Sequence, residues 1–130
     1  MRKRERGLTS EKKVDALTAD FRTLELTIQS SIEIVKEERA ILENMRIDEF
    51  DRRVAFRLAQ EQAQFLRNIR ESLTPLNRRR GRIRATEKES RKMLSLTTSI
   101  LSHRSEVALI LTWLDEQEEI AKNDPVIVFS

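Results

Sequence analysis

The sequence predicts an all-α protein, and three observations carry that prediction. Apolar residues recur at steps of three and four over three long stretches; 36% of residues are charged while 5% are aromatic; and two glycines and two prolines are all that punctuate 130 residues. Stretches of comparable length joined by short connections imply an antiparallel three-helix bundle with long coiled-coil-like helices. The competing architecture is a helical hairpin or long coiled coil stable only in an oligomer, because polar Ser31, Glu38, Thr97 and Arg104 interrupt the apolar seams. A chain of this size supports one modest domain without staples. Its expected divisions are a flexible basic N-terminus over 1–9, a helical bundle over 10–122 and a short extended apolar tail over 123–130.

The first helix is expected over 10–46. Val14, Leu17, Phe21, Leu24, Ile28, Val35, Leu42 and Met45 form one seam, Ile34 and Ile41 widen it, and Thr9 or Ser10 is placed to cap its start ahead of Glu11. The apolar phase slips after Met45, and a second helix is expected over 49–74 with Asp48 as its cap. Its apolar series is Phe50, Val54, Leu58, Phe65, Ile69 and Leu73, while Ala55, Ala59 and Ala63 lie four apart on a neighbouring face that allows close helix approach. Thr74-Pro75 should end it, since proline lacks a donor and disfavours helix at the residue before it. The third helix is expected over 84–122, starting after Gly81 near Ile83 or Thr86, running through Met93, Ile100, Val107, Leu111 and Leu114, and stopping at Asn123-Asp124-Pro125.

Charge is sorted along the chain behind a net value of +3. Met1 to Lys13 holds six basic and two acidic residues, Arg78 to Lys92 eight and two, and Asp115 to Asp124 one and five. Such sorting favours steering, self-association or an acidic partner. The stretch "LNRRRGRIRA" sets Arg78, Arg79, Arg80, Arg82 and Arg84 around Gly81, and guanidinium forks suit phosphates or carboxylates. These five arginines are the anion-binding candidates, set against the plainer expectation of a solvated helix corner. No aromatic residue lies between Phe65 and Trp113 to stack a base, so nucleic-acid binding here would be led by phosphates and indifferent to sequence. Thr86 follows Arg82 and Arg84 closely, and phosphorylation there would subtract positive charge from the same place.

No catalytic constellation is present to propose. The chain has no cysteine, no glycine-rich phosphate loop, no His-Glu-x-x-His and no Gly-x-Ser-x-Gly, and His103 is its single histidine. Ser102, His103, Ser105 and Glu106 are neighbours on one helix and so point in different directions, which is not the arrangement of a triad. A bundle metal site built on Glu-x-x-His pairs lacks its histidines, and Glu33 with Lys36 or Glu49 with Arg52 or Arg53 have the spacing of surface pairs. Neither a metal, a cofactor nor a small-molecule substrate is expected.

Protein-interface candidates come from two apolar stretches. Val107 to Leu114, "VALILTWL", is apolar on nearly every side, so a bundle core can take only part of it, leaving Leu109, Ile110 or Trp113 for another surface. The tail residues Val126, Ile127, Val128 and Phe129 have strand composition and need either a groove on their own bundle or a sheet edge of another protein.

The functional expectation is a non-catalytic structural or adaptor subunit that binds other protein subunits, or itself, through helix faces. The competing class is a sequence-nonspecific protein on nucleic acid or an anionic membrane surface, using Met1 to Lys13 and Arg78 to Lys92. An intracellular, cytoplasmic setting is expected, because the basic start is followed by Leu8-Thr9-Ser10-Glu11 instead of an apolar signal core and no apolar run approaches a membrane span.

Overall fold

A computed structural model of the protein describes residues 10–44 and 46–123, and every regular element among them is a helix. Helix α1 runs Ser10–Leu42, α2 Glu49–Arg67, α3 Ile69–Arg82, α4 Glu87–Ser102 and α5 Arg104–Asn123. These make three long helical stretches, the second interrupted by the single residue Asn68 and the third by His103. The predicted N-terminal segment 1–9 and the tail candidates Val126, Ile127, Val128 and Phe129 lie outside the described residues, as does the side chain expected to cap α1.

Several boundaries are set by identifiable side chains. α1 stops at Leu42 instead of residue 46, where Arg52 of the next helix donates to the carbonyl of Leu42 at 2.5 Å and to that of Asn44, just beyond the helix, at 3.1 Å. Asn44 then accepts from the Arg46 amide through its side chain, closing a turn. Asp48 caps α2, accepting from the Asp51 amide at 2.9 Å. The third stretch begins at Glu87, not residue 84, because Thr86 and Glu89 form a reciprocal capping box.

Pro75 does not end its helix, which continues to Arg82. A proline in a helix interior costs about 3 kcal/mol. Ile69 and Leu73, one turn apart just before it, are both buried, and burial of such side chains is worth about 1.5–3 kcal/mol each. Packing therefore outweighs the proline, and Arg78 to Arg82 become helical residues instead of a corner.

The described residues form two compact units. The first joins α1 up to Gln29 with α3 and α4. Its buried residues are Val14, Leu17, Phe21 and Ile28 of α1, Ile69 and Leu73 of α3, and Met93 and Ile100 of α4. Two polar links tie these helices: Arg79 to Asp20 at 2.5 Å, and Glu25, which accepts from the Ser99 hydroxyl and meets His103 Nε2 at 3.2 Å.

The second unit joins the remainder of α1 with α2 and α5. Its small core sets Leu114 against Ala59 and Ala63, with Phe56, Leu111 and Trp113 packed around them. Here the alanine face of α2 packs closely, as expected, but the apolar series Phe50, Val54 and Leu58 does not turn inward with it. Ala55, Ala59, Ala63 and Leu66 are buried, while Phe50, Val54 and Leu58 are exposed. Alanines let the α2 backbone come close to α5, and the bulk that fills the space is supplied by Leu114 and its neighbours.

Glu38, where the α1 seam lacks an apolar residue, is half-buried, and desolvation, with a smaller push from Glu37, raises its carboxyl above the ordinary range. A carboxyl whose folded value is raised destabilises the fold as pH climbs from the unfolded value through the folded one, and the penalty is fully present above that window. Glu38→Gln is therefore expected to raise the melting temperature at pH 7 while changing it less at pH 4. Thermal denaturation at the two pH values checks this, and an equal or lower melting temperature at pH 7 would show that the ionised carboxylate carries no penalty.

Candidate functional site

The five candidate arginines take up different roles at the end of the first unit. Arg78 and Arg82 are one turn apart on α3, and both are exposed, opposite the buried Ile69 and Leu73. Arg79 is engaged with Asp20. Arg80 is half-buried, and its Nε is enclosed without an acceptor, while Oδ1 of Asn77 is enclosed without a donor. Arg84 is exposed in the four-residue connection 83–86. Gly81 has no positive φ, and a methyl group added at its Cα would meet nothing within 4 Å, so no special property of glycine shapes the site.

Helix α4 extends the basic surface. Lys88, Arg91 and Lys92 are exposed in its first two turns. The two nearby acids are already engaged, Glu87 with Arg91 and Glu89 in the capping box of Thr86. Arg78, Arg82, Arg84, Lys88 and Lys92 consequently have no ion-pair partner among the described residues.

Ser102, His103, Ser105 and Glu106 do not converge. Ser102 donates to the Ser99 carbonyl, His103 faces Glu25, and Glu106 pairs with Lys36 at 2.5 Å in the second unit. That hydrogen bond holds the Lys36 ammonium above its ordinary range. Glu25 stands between Ser99 and His103, so it clasps α1 to α4 and leaves no serine hydrogen-bonded to the imidazole. This polar clasp is invisible to local spacing because Glu25 and His103 are 78 residues apart.

The apolar interface candidates also separate. Ile110 is buried, Leu109 is 72% exposed, and Trp113 is half-buried against the Ala59–Ala63–Leu114 cluster. The Arg39 guanidinium lies over the Trp113 ring, 4.8 Å from its centroid, and also pairs with Glu43. A different apolar surface is more open. Phe50, Val54 and Leu58 fall on one exposed side of α2, with Phe50 70% exposed. The clue in the sequence is that α2 carries two apolar stripes, of which a single helix in a small bundle can bury only one.

No described helix is long and apolar enough to cross a membrane. The chain matches no protein-family model, no curated protein and no solved structure.

Proposed function

We propose that the protein is a non-catalytic helical assembly subunit, an antiparallel three-stretch bundle whose outer helix faces bind other protein chains, its own second copy included. Cross-links within the second unit support the antiparallel course: Gln60 meets Glu118 at 3.1 Å and Arg67 meets Asp115 at 2.7 Å, so rising positions on α2 meet falling positions on α5. Lys36 with Glu106 and Arg39 with Trp113 give α1 and α5 the same direction. An intracellular setting suits a chain without cysteine.

The observation that carries the reading is the exposed row Phe50, Val54 and Leu58. It spans about 12 Å of helix, the length over which a partner helix inserts two or three side chains. Large apolar side chains aligned on one helix face mark a contact surface more strongly than scattered ones do. The triple variant Phe50→Ser, Val54→Ser, Leu58→Ser is expected to melt within a few degrees of wild type and to sediment as a monomer, whereas wild type sediments above its 15.3 kDa monomer mass. A wild type that stays monomeric at its highest soluble concentration overturns self-association through this face.

A further inference from the structure

The basic end of the first unit points to a second activity, carried by residues outside the proposed assembly face. We propose that the α3–α4 end binds double-stranded nucleic acid through its phosphate backbone without reading sequence. Five cations, Arg78, Arg82, Arg84, Lys88 and Lys92, are exposed there and unpaired among the described residues. The connection 83–86 is only four residues long, so the outward sides of the last turns of α3 and the first turns of α4 share one end of the unit. Interaction with the α3 dipole accounts for one or two cations in its last turn, worth about 0.3–1 kcal/mol each, and leaves the charge on Arg84, Lys88 and Lys92 unexplained.

The surroundings of these cations select the ligand. Every exposed residue from Arg78 to Lys92 is charged, threonine or glycine, and Leu94 alone follows as an exposed apolar side chain in the next turn, too little to anchor the end in a lipid layer. The absence of an aromatic residue between Phe65 and Trp113 removes the stacking platform that single strands use. The N-terminus of α4 is closed by its own capping box and is not free to hold a lone phosphate. Cations carried on two helices suit a polymer of rigid, evenly spaced phosphates, whose condensed counterions they release on binding.

The test is fluorescence anisotropy of short labelled DNA duplexes of unrelated sequence, titrated with the full chain over a range of potassium chloride concentrations. Expected are equal affinities for the duplexes and a log–log salt slope of about −3.6 to −4.5, the value for four or five neutralised phosphates. Arg78→Gln, Arg82→Gln, Arg84→Gln and Lys88→Gln combined should weaken binding at low salt more than about tenfold with melting unchanged, and Arg82→Gln alone should flatten the slope by about one unit. Arg57→Gln, in the second unit, should bind as wild type does. Should the combined variant fail to fold, the single variants Arg78→Gln and Arg82→Gln decide by their slopes. Binding that is absent at low salt, insensitive to salt or retained by these variants overturns the proposal, as does tighter binding to single strands or to phosphatidylserine vesicles than to duplex. The substituted cations lie outside the Phe50–Val54–Leu58 face and sedimentation reads assembly separately, so failure here is distinguishable from failure of the assembly reading.

Discussion

Leu114→Asp is expected to remove the cooperative thermal transition of the protein or to lower its midpoint by more than about 15 °C, the effect of losing at least 4 kcal/mol from a domain of this size. Leu114 is 0% exposed and seated on Ala59 and Ala63, whose methyl groups offer no donor to a carboxylate. The introduced acid must ionise unpaired in that setting, take up a proton, or open the core to water, and each route consumes a large part of the roughly 5–15 kcal/mol that holds a domain together. Two comparisons separate the cause from general intolerance. Leu114→Met keeps volume and polarity and should cost less than about 1.5 kcal/mol. Leu109→Asp, five residues earlier on the same helix but 72% exposed, should melt close to wild type. Circular dichroism melts of the three variants check the expectation; a Leu114→Asp protein that unfolds within a few degrees of wild type would show that Leu114 does not occupy the core.

Much of the first stretch is legible from spacing alone, because α1 uses one face for one purpose. Val14, Leu17, Phe21, Ile28 and Val35 are all buried, and the two polar interruptions of the seam, Ser31 and Glu38, do face inward, one buried and one half-buried. Local stop and start chemistry is readable where a single side chain does the work, as with Asp48. Reading fails where two elements share the decision. Pro75 is a stop signal in isolation and is overruled by the burial of Ile69 and Leu73. The end of α1 is met by Arg52, ten residues beyond Leu42. The single-residue interruptions at Asn68 and His103 contain neither glycine nor proline, and nothing in the structure explains the first of them.

The candidate surfaces were legible as charge and as apolar surplus, but not as particular residues. Five arginines in seven positions announce a basic end; which of them is free depends on Asp20, a residue 59 positions away that engages Arg79 alone. The apolar surplus of "VALILTWL" is mostly absorbed, since Ile110 is buried and Trp113 lies beneath Arg39 and against the alanine cluster. The exposed surplus sits instead on α2, because Leu114 and its neighbours require small residues opposite them, which turns Phe50, Val54 and Leu58 outward.

That exchange of faces is itself open to direct measurement, and the alanines give the decisive variants. If Phe50, Val54 and Leu58 were the inner side of α2, Ala59 and Ala63 would be surface positions, where leucine is as good a helix former and changes stability by no more than about 0.5 kcal/mol. With both alanines at 0% exposure against Leu114, each leucine must instead place three further carbon atoms where the α2 and α5 packing leaves no room. Overpacking of this kind typically costs about 1–3 kcal/mol per site. Ala59 and Ala63 are one helical turn apart and share Leu114 as a neighbour, so their effects will not simply add: once the first leucine has pushed α5 away, the second meets a partly relieved clash. Ala59→Leu with Ala63→Leu is therefore expected to lower the melting temperature by roughly 10 °C or more, though by less than the sum of the single variants. Leu58→Ala, which trims an exposed side chain of the same helix, should by comparison leave melting nearly unchanged. Thermal denaturation of the two single variants and the double variant checks this directly, and a double variant that melts at or above wild type would place the alanine face outside and return Phe50, Val54 and Leu58 to the core.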